Sequence, residues 1–124
     1  MTLTLRQGRK PGFKQTVLEC VHAALVASGV PADDRFWRVL ELPVEDFTYH
    51  ATYPDLNSIR SENFVLIDIV LSVGRTVKIK RQIVQQLTSD IARHLSISPE
   101  EIMVLFIETR WENWSFGGGR FIHV

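Results

Sequence analysis

The sequence predicts an α+β domain in which two tandem β-α-β repeats join into one four-stranded sheet with two helices on one face. Three observations lead there. Residues Phe64 to Leu71 are seven apolar and one acidic, rich in β-branched types, as in a strand buried on both faces. Two other stretches carry apolar residues at spacings of three and four, the period of an amphipathic helix. The second half of the chain also follows the first at an offset of 67, which lays Asp34 on Glu101, Leu40 on Ile107, Glu41 on Glu108 and Leu5 on Ser72, so the simplest origin is an internal duplication.

Taken in order, Met1 to Arg6 alternates Thr and Leu like a half-buried strand. A helix is expected from about Gly12 to Ser28, with Phe13, Val17, Leu18, Val21, Ala24 and Leu25 along one stripe and Gly29 as its stop. Arg35 to Leu42 supplies the second strand, and residues 1–42 thus make the first repeat. Residues 43–63 have no sustained period, being broken by Pro43, Pro54, Asn57 and Ser58, and read as a surface loop with a short extended piece at Phe47 to Tyr53. The second repeat, about 64–108, opens with the apolar strand. It continues through Gly74-Arg75-Thr76 into a helix from Val77 to about Leu95, which buries Ile83, Val84, Leu87, Ile91 and Leu95. It closes with a strand from Ile102 to Glu108. Residues 109–124 form a tail, and the whole chain of 124 residues is one domain.

Composition narrows the function classes. Fourteen basic residues balance fourteen acidic ones, which argues against a nucleic-acid or membrane surface, since both draw a local excess of Lys and Arg. No apolar run is long enough to cross a bilayer and the N-terminus lacks a secretory pattern, so a reducing, cytoplasmic setting is expected. The single Cys20 has no partner for an internal disulfide and reads as a buried small hydrophobe rather than a nucleophile. Because the strands are apolar on both faces, the sheet face without helices is expected to be covered by self-association.

The tandem β-α-β units, the Gly29-Val30-Pro31-Ala32-Asp33-Asp34-Arg35 connection, the Gly74-Arg75-Thr76 turn and the Glu112-Asn113-Trp114-Ser115-Phe116-Gly117 tail together resemble the tautomerase superfamily, in particular its malonate semialdehyde decarboxylase-like branch. The resemblance covers nearly the whole chain. It implies a homotrimer with pockets near subunit boundaries, no metal or organic cofactor, and proton transfer, hydration or decarboxylation of a small oxo acid. Arg75 matches the arginine that holds the substrate carboxylate, a role for which a planar guanidinium is suited. Its alternative is a surface or inter-subunit ion pair. Val73 stands where active decarboxylase-like members carry a second arginine.

The resemblance also fixes a departure. The family's chemistry rests on an N-terminal proline amine, whereas here Thr2 follows Met1 and the nearest proline is Pro11. Counted back from Arg6, the chain begins about two residues late, which sets the amine back by roughly 6 to 7 Å. Three explanations stand open: catalysis lost with the pocket kept, the free α-amine of Met1 or Thr2 as substitute base, or a start that is not the natural one.

Asp34 matches an acidic residue that assists water or holds the reacting acid, but its place beside Asp33 before a strand equally suits a turn. Trp114 and Phe116 match aromatic residues of the pocket and serve equally for packing across a subunit boundary. His22 and His94, on helices, read as surface or hydrogen-bonded residues, and His50 and His123 lie in irregular ends without a second ligand at metal spacing, so no metal site is expected. Gly117-Gly118-Gly119 lacks the Lys-Ser/Thr of a phosphate loop and reads as a hairpin or an added strand. Glu41 and Glu108, equivalent in the two repeats, read as structural.

Overall fold

The computed structural model describes residues 1–121. In chain order the elements are β1 (Thr2–Arg6), α1 (Phe13–Ala27), β2 (Arg38–Leu42), β3 (Val65–Ser72), α2 (Val77–Leu95) and β4 (Ile102–Thr109), followed by a small hairpin of β5 (Ser115–Gly117) and β6 (Arg120–Phe121). The sheet runs β2-β1-β3-β4. Each repeat contributes a parallel pair, β1 with β2 and β3 with β4, and the repeats meet where β1 and β3 run antiparallel. Both helices lie on one face, as β-α-β crossovers of one hand require.

Strand alternation decides which side chains face the helices. Leu3 and Leu5 of β1 and Val65, Ile67, Ile69 and Leu71 of β3 point that way and are buried. Against them α1 lays Val17, Val21 and Leu25, and α2 lays Ile83, Leu87 and Ile91, all at helical spacing. Thr76 caps α2, its hydroxyl accepting a hydrogen bond from Ile79 N at 3.2 Å.

The other sheet face is open. Leu40, Val70, Met103, Leu105 and Ile107 alternate out of it and are 44 to 48 % exposed in the protomer. The expectation that Phe64 to Leu71 is buried on both faces therefore holds within the protomer only on the helix side, because Val70 is exposed and Asp68 is half-buried.

The registers revise the alignment of the two repeats. Thr2 pairs with Arg38, a spacing of 36, whereas Val65 pairs with Ile102, a spacing of 37. With Glu41 laid on Glu108, the first strands then superpose at an offset of 66, and Leu5 falls on Leu71, not Ser72. Side-chain direction supports this: Leu5 and Leu71 both face the helices, while Ser72 points the other way. Sequence comparison missed the shift because one extra residue lies between α2 and β4.

Other boundaries differ for local reasons. The second strand begins at Arg38, not Arg35, because the chain before it is folded into turns by Asp34 N bonding Pro31 O at 3.0 Å and Arg35 N bonding Asp33 O at 2.8 Å. Phe47 to Tyr53 forms no strand. Phe47 and Tyr49 instead pack their rings on Phe64, and Val44–Asp46 makes a 3-10 turn. Glu101, 3 % exposed, accepts hydrogen bonds from the amide and the hydroxyl of Ser61 and ties the end of this loop to the start of β4. His22 is neither at the surface nor hydrogen-bonded: it is 5 % exposed, edge-on to Trp37, and its Nδ1 has no hydrogen-bond partner among the described residues. Cys20 Sγ lies 4.0 Å from His94 Nδ1, but burial and then the Asp90 charge push the thiol up, which opposes a thiolate. His50 is a turn residue, its Nδ1 accepting from the amides of Thr52 and Tyr53. His123 lies outside the described residues. Among the described residues no helix is long and apolar enough to cross a membrane, and no group of three His, Cys, Asp or Glu is arranged to hold a metal ion.

Candidate functional site

The sheet ends unevenly, and that unevenness shapes the site. Thr2, Arg38, Asp68 and Leu105 stand abreast across the four strands, but β3 and β4 run on for four more residues to Ser72 and Thr109. The amino end of β1 is therefore set back from the rim by about 13 Å, at roughly 3.3 Å per residue. Around this notch converge Met1, the connection from Ser28 to Trp37, the turn after β3 and the chain after β4.

Met1 occupies the floor of the notch. Its α-amine donates a hydrogen bond to Phe36 O at 2.7 Å, while Arg38 N donates to Met1 O at 3.1 Å. Partial burial pushes the amine below the usual range of an α-amine. The nearby Arg38 guanidinium acts in the same direction and Asp34 opposes both. Arg38 is anchored by donating from Nε to the Thr2 hydroxyl at 2.9 Å. Thr2 thus serves as a prop for Arg38, and Asp34 is an exposed carboxylate that acts on the amine through its charge.

A row of rings borders the same region. Phe36 tilts against Phe116 at 5.5 Å between centroids, and Phe116 stacks on Trp114 at 5.5 Å. The tail hairpin thereby reaches back to the residue whose carbonyl holds the amine. Trp114 Nε1 is buried without a hydrogen-bond partner among the described residues.

Arg75 stands at the rim. Gly74 turns the chain out of β3 at φ 122°, a value that residues with a Cβ rarely adopt, and so aims the next residue across the strand end. The Arg75 guanidinium is half-buried, its only hydrogen bond among the described residues is to Ser72 O at 3.4 Å, and no carboxylate there lies within ion-pair distance. The cavity beside it, about 350 Å³, is lined by Ser28, Gly29, Val73, Gly74, Arg75 and Trp111. Met1 and Asp34 do not line it. The structure thus gathers Met1, Thr2, Asp34, Trp114 and Phe116 into one cluster and sets Arg75 at the same end of the sheet beside a separate opening.

Three contributors escaped the sequence analysis. Phe36 lies in the stretch from Arg35 to Leu42 that the sequence predicts as the second strand, yet its carbonyl and ring form part of the cluster. Arg38 carries no local motif, and its effect on Met1 arises only from the β1–β2 register. Trp111 borders the Arg75 cavity because β4 brings it level with the turn after β3. The run Phe36-Trp37-Arg38 before an apolar strand was the one available signal.

Comparison with known proteins agrees with this architecture. The family model described as tautomerase enzyme matches residues 34–117. A search of curated proteins gives no match. Among solved structures, one of malonate semialdehyde decarboxylase is similar at 29% identity and a TM-score of 0.87, covering 98% of this chain and 93% of that one. A second malonate semialdehyde decarboxylase, inhibited by 3-bromopropiolate, is similar at 24% identity and a TM-score of 0.85 over 96% of this chain and 89% of that one. A fused 4-OT solved as a symmetric trimer shares the fold at 19% identity and a TM-score of 0.76, over 97% and 93% of the two chains. With the family model matched over more than half of its length, the chain belongs to the tautomerase superfamily, on its malonate semialdehyde decarboxylase-like branch.

Proposed function

We propose that this protein binds a small oxo acid by its carboxylate through Arg75, with the Met1 α-amine as the group that transfers a proton. The observation that carries this is the Arg75 guanidinium, a partly buried cation with no carboxylate beside it among the described residues, held over an opening at the same end of the sheet as an amine of lowered basicity. An unpaired guanidinium in a partly dry site favours a bidentate anion. An amine pushed below its ordinary range carries a free lone pair over more of the neutral pH scale, which is what a general base needs. No step requires a metal or an organic cofactor.

The substrate class follows from the branch. Malonate semialdehyde, a 3-oxo acid with its carboxylate on the acidic carbon, is the substrate named for two of the similar structures, and enolisable 2-oxo acids carry their carboxylate one carbon further from the acidic carbon. Asp34 is assigned to tune the amine, and Phe36, Trp114 and Phe116 to exclude water from it.

A second role, carboxylate binding without turnover, is favoured by one observation: Met1 does not line the cavity at Arg75. We infer further that the protein assembles as a homotrimer, the open face of Leu40, Val70, Met103, Leu105 and Ile107 packing on other copies, and that it works in a reducing cytoplasm.

The test is turnover of phenylenolpyruvate and of malonate semialdehyde by the wild-type chain and by Arg75→Ala. The catalytic proposal requires a rate above that of the free substrate that falls at least tenfold in the variant. Rates equal to background with measurable binding favour the second role, and neither turnover nor binding removes both.

A further inference from the structure

The duplication has placed the arginine turn twice, and we propose that its first copy, Gly8-Arg9-Lys10, forms a second site for a small carboxylate at the opposite end of the sheet. At the structural offset of 66, Gly8 and Arg9 fall on Gly74 and Arg75. Both glycines leave their strands at positive φ, 94° and 122°, so each turn delivers its arginine in the same way. The equivalence continues into the helices. Lys14 pairs with Glu41 in the first repeat as Lys80 pairs with Glu108 in the second, each lysine reaching from the first turns of its helix to the last strand of its repeat.

The first copy borders a half-open depression of about 190 Å³, lined by Leu5, Arg9, Lys10, Gly12, Lys14 and Glu41 among others. That is the liquid share of about six waters, enough for a small organic acid. Three cations and one carboxylate face it, and that carboxylate is already paired with Lys14. Arg9 is 17% exposed; its Nη1 donates to Asn63 Oδ1 at 3.1 Å and lies 3.9 Å from the mostly exposed Glu62, and its Nη2 makes a long contact to Gln7 O. Its Nε is buried with no hydrogen-bond partner among the described residues. A buried donor left unpaired is costly, and a carboxylate oxygen would satisfy it. No acidic residue and no side-chain cap occupies the first turn of α1, which borders the same space, so the helix start itself adds no charge that opposes an anion.

The two ends differ in one respect that fixes the role. At the Arg75 end β1 starts from an α-amine, whereas at the Arg9 end β3 is entered from Asn63 and Phe64 by continuous chain. The first copy therefore binds without an amine to transfer protons. The site does not depend on whether Arg75 holds a carboxylate.

Amide chemical shifts of the full chain, titrated with malonate at constant ionic strength kept by sodium chloride, test it. The expected result is a saturable set of shifts at Arg9, Lys10, Gly12 and Lys14, separate from any set at Gly74 and Arg75. Arg9→Gln should weaken the first set by about tenfold and leave the second alone, the loss of one charged hydrogen bond. Should Arg9→Gln fail to fold because Asn63 loses its partner, Lys10→Gln, at an exposed position, should weaken the same set by about threefold. Absence of saturable shifts at the Arg9 turn overturns the proposal, as does a set that sodium chloride alone reproduces or that neither variant weakens.

Discussion

Replacing Ile107 by glutamate is expected to dissociate the assembly and leave the protomer folded. The side chain is 44% exposed on the open sheet face, so in the protomer the carboxylate reaches water at little cost. In an assembly it does not. Fully burying an aliphatic side chain contributes about 1.5–3 kcal/mol, and with nearly half of each surface still open, Leu40, Val70, Met103, Leu105 and Ile107 each have roughly 1 kcal/mol left to give, about 5 kcal/mol per subunit. Ile107→Glu removes one such share and adds several kcal/mol for a carboxylate buried without a partner, in every subunit at once. Ile107 is preferable to Leu105, which pairs with Asp68 across β3–β4, where a second carboxylate would strain the protomer itself; Ile107 pairs with Val70. Light scattering on a sizing column should give about 43 kDa for the wild type, three times the 14.2 kDa chain, and a single chain for the variant with unchanged far-ultraviolet circular dichroism. A wild-type monomer, or a variant that stays trimeric, refutes the assignment of this face.

Two further predictions concern the amine and the core. Because burial, with Arg38, lowers the Met1 amine below 8.0, reaction with an acylating reagent should follow a titration midpoint below 8.0. The unfolded chain binds the proton more tightly, so this group makes stability rise with pH between the lowered value and 8.0. Arg38→Gln should move the midpoint back up, and a midpoint at or above 8.0 contradicts the environment described. Leu87→Ala, at a fully buried position on α2, should lower the unfolding free energy by about 2–5 kcal/mol in urea titration with the slope unchanged. A loss under 1 kcal/mol would mean that α2 does not pack on the sheet as described.

The fold was legible because its signals are local and periodic. The stripe Ile83, Leu87, Ile91 and the apolar run at Val65 to Leu71 announce helix and strand from spacing alone, and Val77–Leu95 is the helix that the sequence predicts. The site was legible in part. Arg75 could be singled out because a glycine and a capping threonine flank it, and Trp114 and Phe116 because they stand in a recognisable tail. What remained hidden depends on pairs distant along the chain. Arg38 acts on Met1 only through strand register, and the Phe36 carbonyl holds the amine only because the turns at Pro31 to Arg35 keep Phe36 out of the strand. The one-residue shift between the repeats was invisible for the same reason: matching Glu41 with Glu108 is correct for the second strands and wrong for the first. Side-chain direction, which linear spacing does not record, separates the two.

The carboxylate grip of Arg75 is the centre of the functional proposal, and its most direct test is calorimetric titration with pyruvate of three proteins that all carry Arg9→Gln to weaken the opposite end: one with Arg75 intact, one with Arg75→Lys and one with Arg75→Ala. A charged, two-pronged hydrogen bond lost from a partly buried site costs about 1.5–3 kcal/mol, so Arg75→Ala should bind ten- to a hundredfold more weakly, with Arg75→Lys between the two. Equal affinity in all three proteins would contradict the assignment of Arg75 as the residue that holds the acid.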